Sequence, residues 1–439
     1  MKPSRYNHFF SFNDTQSIAY NALTNSLALI DISKLEAFQS YCDKGTPMPD
    51  ELVMDLRKGM FLIDESFDEL TFLRFNMLKT RFSTNHLSLT ISPCNDCNFK
   101  CVYCYEKKSI NDKYMTAEIE DKLVELLDRH KKVISSMYIT WHGGEPLLAF
   151  DIVERLSKRF IEICEKNEIN YNSSMVTNGY LLSRDILSKM DSIKCTALQI
   201  TVDGPQEVHD KMRPLTNGEG TYDVIMDNIK NGYDLLPATS LRVNIDKNNA
   251  SAGEEVYFYL RENELLDKVK PYYGKLVNDT DTYESSICLT GNDFAEMSYD
   301  FRHKVLGASA KHPVDFPYSK ATYCQAEAIN SHCIDAEGWI YRCWADVGLP
   351  DKRVGSLLEN ISLNSNVYFE YIMHDPTLGE LCGSCDVLPL CMGGCPLKRV
   401  IGNDDTCVNY KYVLEKCIRD STNVLKTNRD MNAQSETKK

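Results

Sequence analysis

The sequence of 439 residues has no apolar run that approaches the roughly 18–20 residues needed to cross a bilayer. Its N-terminus, MKPSRYNHFFSFND, also lacks the apolar stretch of a secretory signal. These two absences argue against a membrane protein and against a secreted protein. They predict a cytoplasmic location.

Positive charge is scarce as well. The chain has 49 Lys and Arg against 63 Asp and Glu, a formal net charge of −14. No run of Lys or Arg provides the local cationic surface that binding to a phosphate backbone requires. We therefore predict neither a nucleic acid nor a membrane as a partner.

Cysteine, by contrast, is abundant, with 17 residues in the chain. Disulfides rarely persist in a reducing compartment, so most of these thiols are predicted to be metal ligands, catalytic groups or buried side chains. Their distribution is uneven, with tight clusters over residues 94–104 and 382–395. Clustering of this kind favours metal sites.

Strand-like segments alternate with amphipathic helical patterns from Leu87 onward. In one such helix, a stripe of apolar residues follows a potential cap at Thr116. The alternation predicts an α/β fold with a parallel sheet, either doubly wound or barrel-like. The predicted strands are residues 86–92, 136–140, 173–177, 197–202, 241–245 and 269–277.

Polar clusters follow the first five of these strands: CNDCNFKCVYC, WHGGEP, NGY, DGP and DKNN. In α/β barrels, active sites are built at the carboxyl ends of the strands. We therefore predict a partial (β/α)6 barrel, similar to a TIM barrel, with one wide cavity above its strand ends.

The segments that flank the predicted barrel differ from it. Residues 1–85 contain a hairpin within SIAYNALTNSLALID and two helical patterns, which predicts a small α+β module of winged-helix type. The C-terminal part is rich in Cys, Gly and short loops. The predicted domains are residues 1–85, 86–310 and 311–419, followed by a polar tail over 420–439.

Cys97, Cys101 and Cys104 have the spacing C-x3-C-x2-C. Three thiolates on one short loop can hold three irons of a [4Fe–4S] cluster and leave the fourth iron open to a small ligand. The alternative is a zinc site that also uses Cys94. Only three residues would then separate its two C-x2-C pairs, fewer than in the usual zinc ribbon.

This loop resembles the cluster-binding loop of the radical S-adenosylmethionine (SAM) superfamily, with Tyr103 in the aromatic position. The GGEP segment resembles the family's glycine–glycine–glutamate stretch. The resemblance implies that Gly143, Gly144 and Glu145 contact the amino group of SAM. Glycines permit a close backbone approach, and a carboxylate can pair with an ammonium group.

Two further segments, TNG and ITVDGPQEVHDKMR, are similar to later strand ends of the same family. By this resemblance Asn178 and Thr201 touch the ribose or the carboxylate of SAM, while Asp203 is equally suited to shaping the turn. Arg213 either pairs with a carboxylate or ends a surface helix. His142 and His209 are predicted to be structural hydrogen-bonding residues.

The C-terminal cysteines resemble the seven-cysteine SPASM extension of radical SAM peptide-modifying enzymes, which carries auxiliary iron–sulfur clusters. The resemblance implies two auxiliary [4Fe–4S] clusters. Cluster I would use Cys324, Cys343 and Cys395, and its fourth ligand is Cys333, Cys288 or a substrate thiol. Cluster II would use Cys382, Cys385, Cys391 and Cys407. The remaining thiols Cys42, Cys164, Cys195 and Cys417 are predicted to be buried, and the role of Cys94 stays open.

The resemblance implies a maturase that acts on a ribosomally synthesised precursor peptide through a 5′-deoxyadenosyl radical. Its expected product is a thioether cross-link from a cysteine sulfur to a carbon, with the leader bound by residues 1–85 and electrons delivered by a flavodoxin or a ferredoxin. The alternative enzyme is a sulfatase-maturating oxidase, which forms formylglycine. That class carries Asp directly after the cysteine matching Cys343, whereas Trp344 stands there in this chain. An electron carrier, a cluster scaffold and a zinc-stabilised binding module are the remaining alternatives.

Overall fold

The computed structural model describes residues 1–107, 110–279, 282–307, 315–359, 366–403 and 405–436. The N-terminal module is α+β, as predicted. Its hairpin of β3 and β4 is joined by β2 in an antiparallel sheet of order β2-β3-β4, and β1 pairs with β5. The elements are β1 (Lys2–Pro3), β2 (Asn7–Ser11), β3 (Gln16–Asn21), β4 (Ser26–Asp31), α1 (Ile32–Lys44), α2 (Asp50–Lys58), β5 (Leu62–Ile63) and α3 (Glu69–Arg81).

All six predicted strands of the central region are present and parallel, in the order β11-β10-β9-β8-β7-β6. A doubly wound sheet reverses its strand order at a switch point, whereas this order follows the chain throughout and is therefore barrel-like. The elements are β6 (His86–Ile91), α4 (Ala117–His130), β7 (Ser136–Trp141), α5 (Phe150–Lys166), β8 (Asn170–Thr177), α6 (Arg184–Leu187), β9 (Cys195–Thr201), α7 (Gln206–Met212), α8 (Tyr222–Asn231), β10 (Ala238–Ile245), α9 (Ala252–Glu262), β11 (Val269–Lys275) and α10 (Gly291–Phe301).

The core of this region lies between the strands and the surrounding helices. Helix α4 shows how the sequence produces it. Thr116 accepts a hydrogen bond from the backbone N–H of Ile119 at the start of the helix, as predicted. The apolar stripe that follows is buried against the sheet, because residues three and four apart share one helix face. Its members are Ile119, Leu123, Leu126 and Leu127.

The C-terminal region continues the barrel sheet. Strand β12 pairs in parallel with β6, and β13 and β14 follow antiparallel, giving nine strands in one sheet. The sequence did not predict this extension, because β12 is only four residues long. The elements are β12 (Ser331–Ile334), β13 (Trp339–Tyr341), β14 (Gly355–Ser356), α11 (Asn366–Ile372), α12 (Glu380–Gly383), α13 (Leu388–Cys391), α14 (Pro396–Val400) and α15 (Tyr410–Glu436).

A second core joins the N-terminal module to the C-terminal region. Ile18 and Tyr20 of β3 pack in one buried cluster with Leu390 of α13 and with Leu414 and Ile418 of α15. The module is therefore fixed directly on the cysteine-rich region.

Two predicted boundaries need comment. The boundary between residues 310 and 311 lies outside the described residues. The predicted polar tail from residue 420 begins inside α15, where Ser421 and Thr422 are buried and donate hydrogen bonds to the carbonyls of Cys417 and Ile418. Within the described part of the chain, no helix is both long enough and apolar enough to cross a membrane.

Candidate active site

A large cavity of about 770 Å³ opens at the carboxyl ends of the barrel strands. The sequence predicted that polar clusters after five strands would meet there. The first three clusters do line the cavity, but DGP and DKNN do not. Thr201 of β9 and Asn244 of β10 line it instead. The predicted site residues on the wall are Cys97, Cys101, Tyr103, Cys104, Gly143, Gly144, Glu145, Asn178, Thr201, Arg213, Cys343, Cys395 and Cys407.

The glycine pair shapes the three-cysteine loop. A Cβ atom on Gly144 would lie 2.1 Å from the carbonyl oxygen of Asp96, and one on Gly143 would lie 2.8 Å from that of Cys94. Gly143 also has a φ of +118°. The backbone N–H of Glu145 donates to the Asp96 carbonyl at 2.9 Å. Only glycines allow the two loops to approach this closely.

Glu145 is 1% exposed and is oriented by three donors. Its carboxylate accepts hydrogen bonds from the N–H of Leu147 at 3.1 Å, the hydroxyl of Thr177 at 2.6 Å and the N–H of Asn178 at 2.8 Å. Burial raises its pKa, and these hydrogen bonds oppose the rise. No cation of the described residues lies within 4.0 Å of it, so the site fits the ammonium group of a ligand.

Tyr103 joins the loop to the next strands. Its hydroxyl contacts the carboxylate of Asp203 and accepts hydrogen bonds from Arg213 at 2.8 Å and from Asn244 at 2.9 Å. Arg213 also lies over the ring of Phe99, with 5.6 Å from its guanidinium carbon to the ring centroid. Arg213 ends helix α7, as one of the predicted alternatives has it, but it is buried and lines the cavity instead of lying on the surface.

Several polar groups of the predicted set have structural partners. Asn178 donates to the side chain of Asn98 at 2.8 Å and accepts from the N–H of Tyr180 at 2.9 Å. His209 accepts from the N–H of Asp203 at 3.2 Å and pairs with Thr221 at 3.0 Å, as predicted for a structural histidine. Burial lowers the pKa of His209 to about 3.

Cys94 lies outside the cavity. It is fully buried, and its thiol donates to the backbone carbonyl of Glu145 at 3.3 Å. In the described part of the chain, no three His, Cys, Asp or Glu side chains are grouped as ligands of one metal ion. Because Cys94 lies outside the cavity that Cys97, Cys101 and Cys104 line, its position disfavours a zinc site made from all four thiols.

The C-terminal cysteines form two neighbourhoods, which their mutual electrostatic influence reveals. Burial raises the pKa of Cys343, and Cys333 and Cys324 raise it further. Burial likewise raises the pKa of Cys324, with an added contribution from Cys395. Burial raises the pKa of Cys382, and Cys385 and Cys407 raise it further. Burial also raises the pKa of Cys391, with added contributions from Cys407 and Cys382. That each of these groups of thiols holds a cluster stays a prediction.

The four thiols predicted to be buried have mixed outcomes. Cys164 and Cys195 are buried in the barrel core, as predicted. The prediction is wrong for Cys42, which is exposed on α1. Cys417 is buried and also lines the cavity.

Tyr105, Trp344 and Arg242 line the cavity, and the sequence did not predict them as site residues. The hydroxyl of Tyr105 lies 2.9 Å from Nε2 of His142, and the imidazole of His142 stacks on Trp344 with 5.2 Å between ring centroids. Burial lowers the pKa of His142 to about 4, so the ring is neutral near pH 7. Arg242 of β10 also faces the cavity. Tyr105 and Trp344 each follow a predicted cluster cysteine directly, and this adjacency was the available signal.

Comparison with known proteins agrees with this geometry. Residues 91–260 match the family model described as the radical SAM superfamily. The chain is 25% identical over 380 residues to a cysteine-type anaerobic sulfatase-maturating enzyme of Clostridium novyi, covering 78% of this chain and 98% of that protein. It is 22% identical over 344 residues to a serine-type enzyme of Bacteroides thetaiotaomicron, covering 69% of this chain and 80% of that protein.

Two solved structures share the fold. Native anSMEcpe with bound AdoMet and Cp18Cys peptide superposes with a TM-score of 0.57 at 20% identity, covering 77% of this chain and 99% of that one. Streptococcus suis SuiB bound to precursor peptide SuiA superposes with a TM-score of 0.53 at 15% identity, covering 93% of this chain and 98% of that one. The match to this family model implies a [4Fe–4S] cluster with SAM, and the three thiols beside the buried carboxylate fit that pair. The chain contains a radical SAM domain at residues 91–260.

Proposed function

We propose that this enzyme modifies a ribosomally synthesised precursor peptide and forms a thioether cross-link from a cysteine sulfur to a carbon of that peptide. The cluster and SAM, held by Cys97, Cys101, Cys104 and the Gly143–Glu145 segment, would supply hydrogen-atom abstraction from a carbon of the substrate. The cavity supports this role because it joins the three-cysteine loop to Cys343 and Cys395 in one enclosed space.

The N-terminal module supports a peptide substrate. The outer edge of β4 pairs with no other strand among the residues that the structure describes. An open edge can accept an extended peptide as an added strand. Leu27 and Leu29 of β4 and Leu70 of α3 are half-buried on the same core, and Phe75 of α3 is 62% exposed. The leader would therefore add to β4 beside α3.

The coverage of the solved structures agrees with this proposal. SuiB, in a structure with precursor peptide SuiA, covers 93% of this chain, whereas anSMEcpe covers 77%. The larger share of this chain is enough for the superposition with SuiB to include the N-terminal module. A packing or dimerisation role for the module remains the competing interpretation.

Formylglycine formation is the second candidate, and the similarity to the Clostridium novyi enzyme over 98% of that protein favours it. The observation that carries our choice is the position of Trp344 and Asp346. Trp344 replaces the Asp expected directly after Cys343 and stacks on His142 at the cavity wall. Asp346 is 1% exposed and accepts a hydrogen bond from Tyr371 at 2.7 Å, outside the cavity wall.

The two C-terminal neighbourhoods would hold the auxiliary [4Fe–4S] clusters, with Cys333 as the fourth ligand of cluster I. Cys333 is buried on β12. The charge of Cys324 raises the pKa of Cys333, and the charge of Cys333 raises the pKa of Cys343. Cys288 instead lies near Lys275 and donates to the carbonyl of Glu284 at 3.5 Å. A flavodoxin or ferredoxin would deliver the electrons, and the cytoplasm is the proposed location.

The test uses anaerobically reconstituted enzyme, SAM, a strong reductant and a cysteine-containing peptide encoded beside its gene. High-resolution mass spectrometry is expected to show loss of two hydrogens per cross-link and a thiol that can no longer be alkylated. Replacement of the sulfur by a carbonyl oxygen would move the enzyme to the formylglycine class. An unchanged peptide would contradict the proposed substrate.

A matched pair of variants tests the assignment of the fourth ligand. Cys333→Ala is expected to lower the iron and sulfide content of the reconstituted protein and to change the spectrum of one auxiliary cluster. Cys288→Ala is the control and should leave both unchanged. The reverse pattern would assign Cys288 instead, and no change in either variant would leave the position to a substrate thiol.

A further inference from the structure

Arg242 occupies a prepared position in the barrel interior. It lies on β10 and lines the cavity, and its Nε donates to the side chain of Asn244 at 2.7 Å. On the neighbouring strand β11, a Cβ atom at Gly274 would lie only 2.4 Å from that Nε and 2.7 Å from the guanidinium carbon. The guanidinium group therefore lies flat over Gly274, and any other residue there would displace it.

The terminal nitrogens of Arg242 have no partner among the described residues. The bond from Nε to Asn244 is its only hydrogen bond there, and no carboxylate lies within 4.0 Å of its nitrogens. Of the other cations on the cavity wall, Lys320 lies over the ring of Tyr323, at 5.2 Å from its centroid, and three form ion pairs. Lys275 and Lys398 both contact Asp405, and Arg302 contacts Asp315.

A guanidinium with its terminal N–H groups directed into a partly enclosed cavity is suited to a planar anion. Its fork of donors matches the two oxygens of a carboxylate. Hydrogen bonds between charged partners are stronger than neutral ones, more so away from bulk water. The position therefore selects for a carboxylate rather than for an amide.

The carboxylate of SAM has a different candidate partner. Arg213 lines the cavity and donates a hydrogen bond to the hydroxyl of Tyr103 in the three-cysteine loop at 2.8 Å. SAM has one carboxylate, which Arg213 can receive. The charge of Arg242 is then left for a second anion.

Arg242 lines the same cavity as both cysteine sites, since Cys101, Cys104, Cys343 and Cys395 share its wall. Asn244, which accepts the hydrogen bond from Arg242, also donates to the hydroxyl of Tyr103 in the three-cysteine loop at 2.9 Å. The substrate atom that reacts must reach this same space.

We propose that Arg242 binds a carboxylate of the peptide substrate, so that an acidic residue or the C-terminus of the peptide lies in the cavity that the two cysteine sites share. This inference rests on the proposed peptide substrate. It adds a specificity determinant: the residue seated next to the reacting carbon is anionic. A peptide that carries an amide at that position would leave the guanidinium unpaired and would bind more weakly.

The test uses small probes on reconstituted, SAM-loaded enzyme and ligand-observed saturation-transfer NMR. N-acetyl-aspartate α-methylamide carries a side-chain carboxylate, N-acetyl-alanine carries a C-terminal carboxylate, and N-acetyl-asparagine methylamide carries neither. At least one carboxylate probe is expected to show saturation transfer in the presence of SAM, and the stronger one identifies the source of the carboxylate. The asparagine probe should show none.

Variants connect this signal to the residue. Arg242→Gln is expected to weaken binding of the probe about tenfold or more, as loss of one charged hydrogen-bonding partner implies. Arg242→Lys should retain part of the signal, and Arg129→Gln, on the exposed face of α4, should retain all of it. Unchanged iron content and SAM affinity in Arg242→Gln show that the variant is folded.

Three outcomes overturn the inference. They are equal probe binding by Arg242→Gln, no binding of either carboxylate probe to the parent enzyme, and displacement of the probe by SAM, which would assign Arg242 to the SAM carboxylate. A second experiment replaces each Asp and Glu of the peptide used above by Asn or Gln, and one replacement is expected to abolish the cross-link if a side chain is the source. If the parent enzyme leaves the peptide unmodified, the proposed function fails while the probe experiment still decides the role of Arg242.

Discussion

The two cysteine-bearing regions of this enzyme are assembled differently. Cys97, Cys101 and Cys104 lie within eight residues on one loop, whereas Cys324, Cys343 and Cys395 span 72 residues. The first set is positioned by local backbone contacts with the GGEP segment. The second set is brought together by side chains from the N-terminal module and the C-terminal region.

A buried charged group holds the second set. Glu327 is fully buried and accepts hydrogen bonds from Arg81 of α3 at 2.5 Å and from Arg399 of α14 at 2.7 Å. Its other oxygen accepts from the N–H of Cys324 at 3.3 Å. Arg342, 2% exposed, donates to the carbonyls of Ala326, Ala328 and Ser331 in the segment after Cys324. A spacing pattern in the sequence reveals the first arrangement but not the second.

The largest expected effect separates the two regions by function. Cys101→Ala should reduce reductive cleavage of SAM to the level without enzyme, because the loop then lacks a ligand of the cluster that binds SAM. Cys382→Ala should retain cleavage and lose the iron of one auxiliary cluster. Measurement of 5′-deoxyadenosine together with iron content checks both. Loss of cleavage in Cys382→Ala with the loop cluster intact would show that the regions are not separable.

The next effect tests the charged group. Glu327→Gln should lower the free energy of unfolding by about 3–5 kcal/mol, because two buried guanidinium groups lose their shared carboxylate. Anaerobic urea unfolding measures it. The exposed Glu380→Gln is the control and should stay within about 0.5 kcal/mol of the parent. A similarly small change for Glu327→Gln would contradict the role given to this group.

Two close glycine contacts give a parallel test in both regions. A Cβ atom on Gly144 would lie 2.1 Å from the carbonyl oxygen of Asp96, and one on Gly394 would lie 1.8 Å from that of Thr406. Each alanine variant is expected to lower the free energy of unfolding by about 1–3 kcal/mol through overpacking. Gly144→Ala should weaken SAM binding, and Gly394→Ala should lower auxiliary iron content.

Gly307→Ala is the matched control for that pair. Its φ is −79° and the nearest atoms to its Cβ would lie 3.6 Å away, so the variant should be close to the parent. Equal losses of SAM binding in Gly144→Ala and Gly394→Ala would contradict the separation of the two regions.

The smallest predicted effect is the pH dependence of the free energy of unfolding that comes from His209 in the barrel. Burial lowers the pKa of His209 to about 3, against the ordinary value of 6.5 for histidine, so the unfolded chain binds more protons between these values. The stability that the neutral ring contributes is therefore present above about pH 6.5 and is lost as the pH falls. The parent should lose about 2 kcal/mol more than His209→Gln between pH 7 and pH 5. Parallel stability curves for the two proteins would contradict this.

The sequence predicted the six barrel strands and the main cavity residues because both depend on short-range patterns. Apolar segments and polar strand ends recur at regular intervals, and the three-cysteine loop is contiguous. The addition of β12 to β6 was missed, since a four-residue strand carries little periodicity. Cys42 was assigned to the core and is exposed, because its helix is amphipathic and the residue falls on the outer face.

Side chains whose role depends on a partner from another strand were also missed. In the sequence, Arg242 is a single polar residue within an apolar strand. Its importance depends on Gly274 of the neighbouring strand β11 and on the lack of a carboxylate within 4.0 Å among the described residues. Trp344 was noted only as a departure from a family pattern, and its stacking on His142 depends on the packing of β7 against the C-terminal region.

The sequence by itself determined the barrel and its reactive loop, because these follow from periodicity and spacing within short segments. The tertiary structure decided that Cys94 lies outside the cavity and that Arg242 lines it with no carboxylate of the described residues within 4.0 Å. Such facts depend on contacts between strands and loops far apart in the chain. Burial and pairing of charge are properties of those contacts and of no single segment.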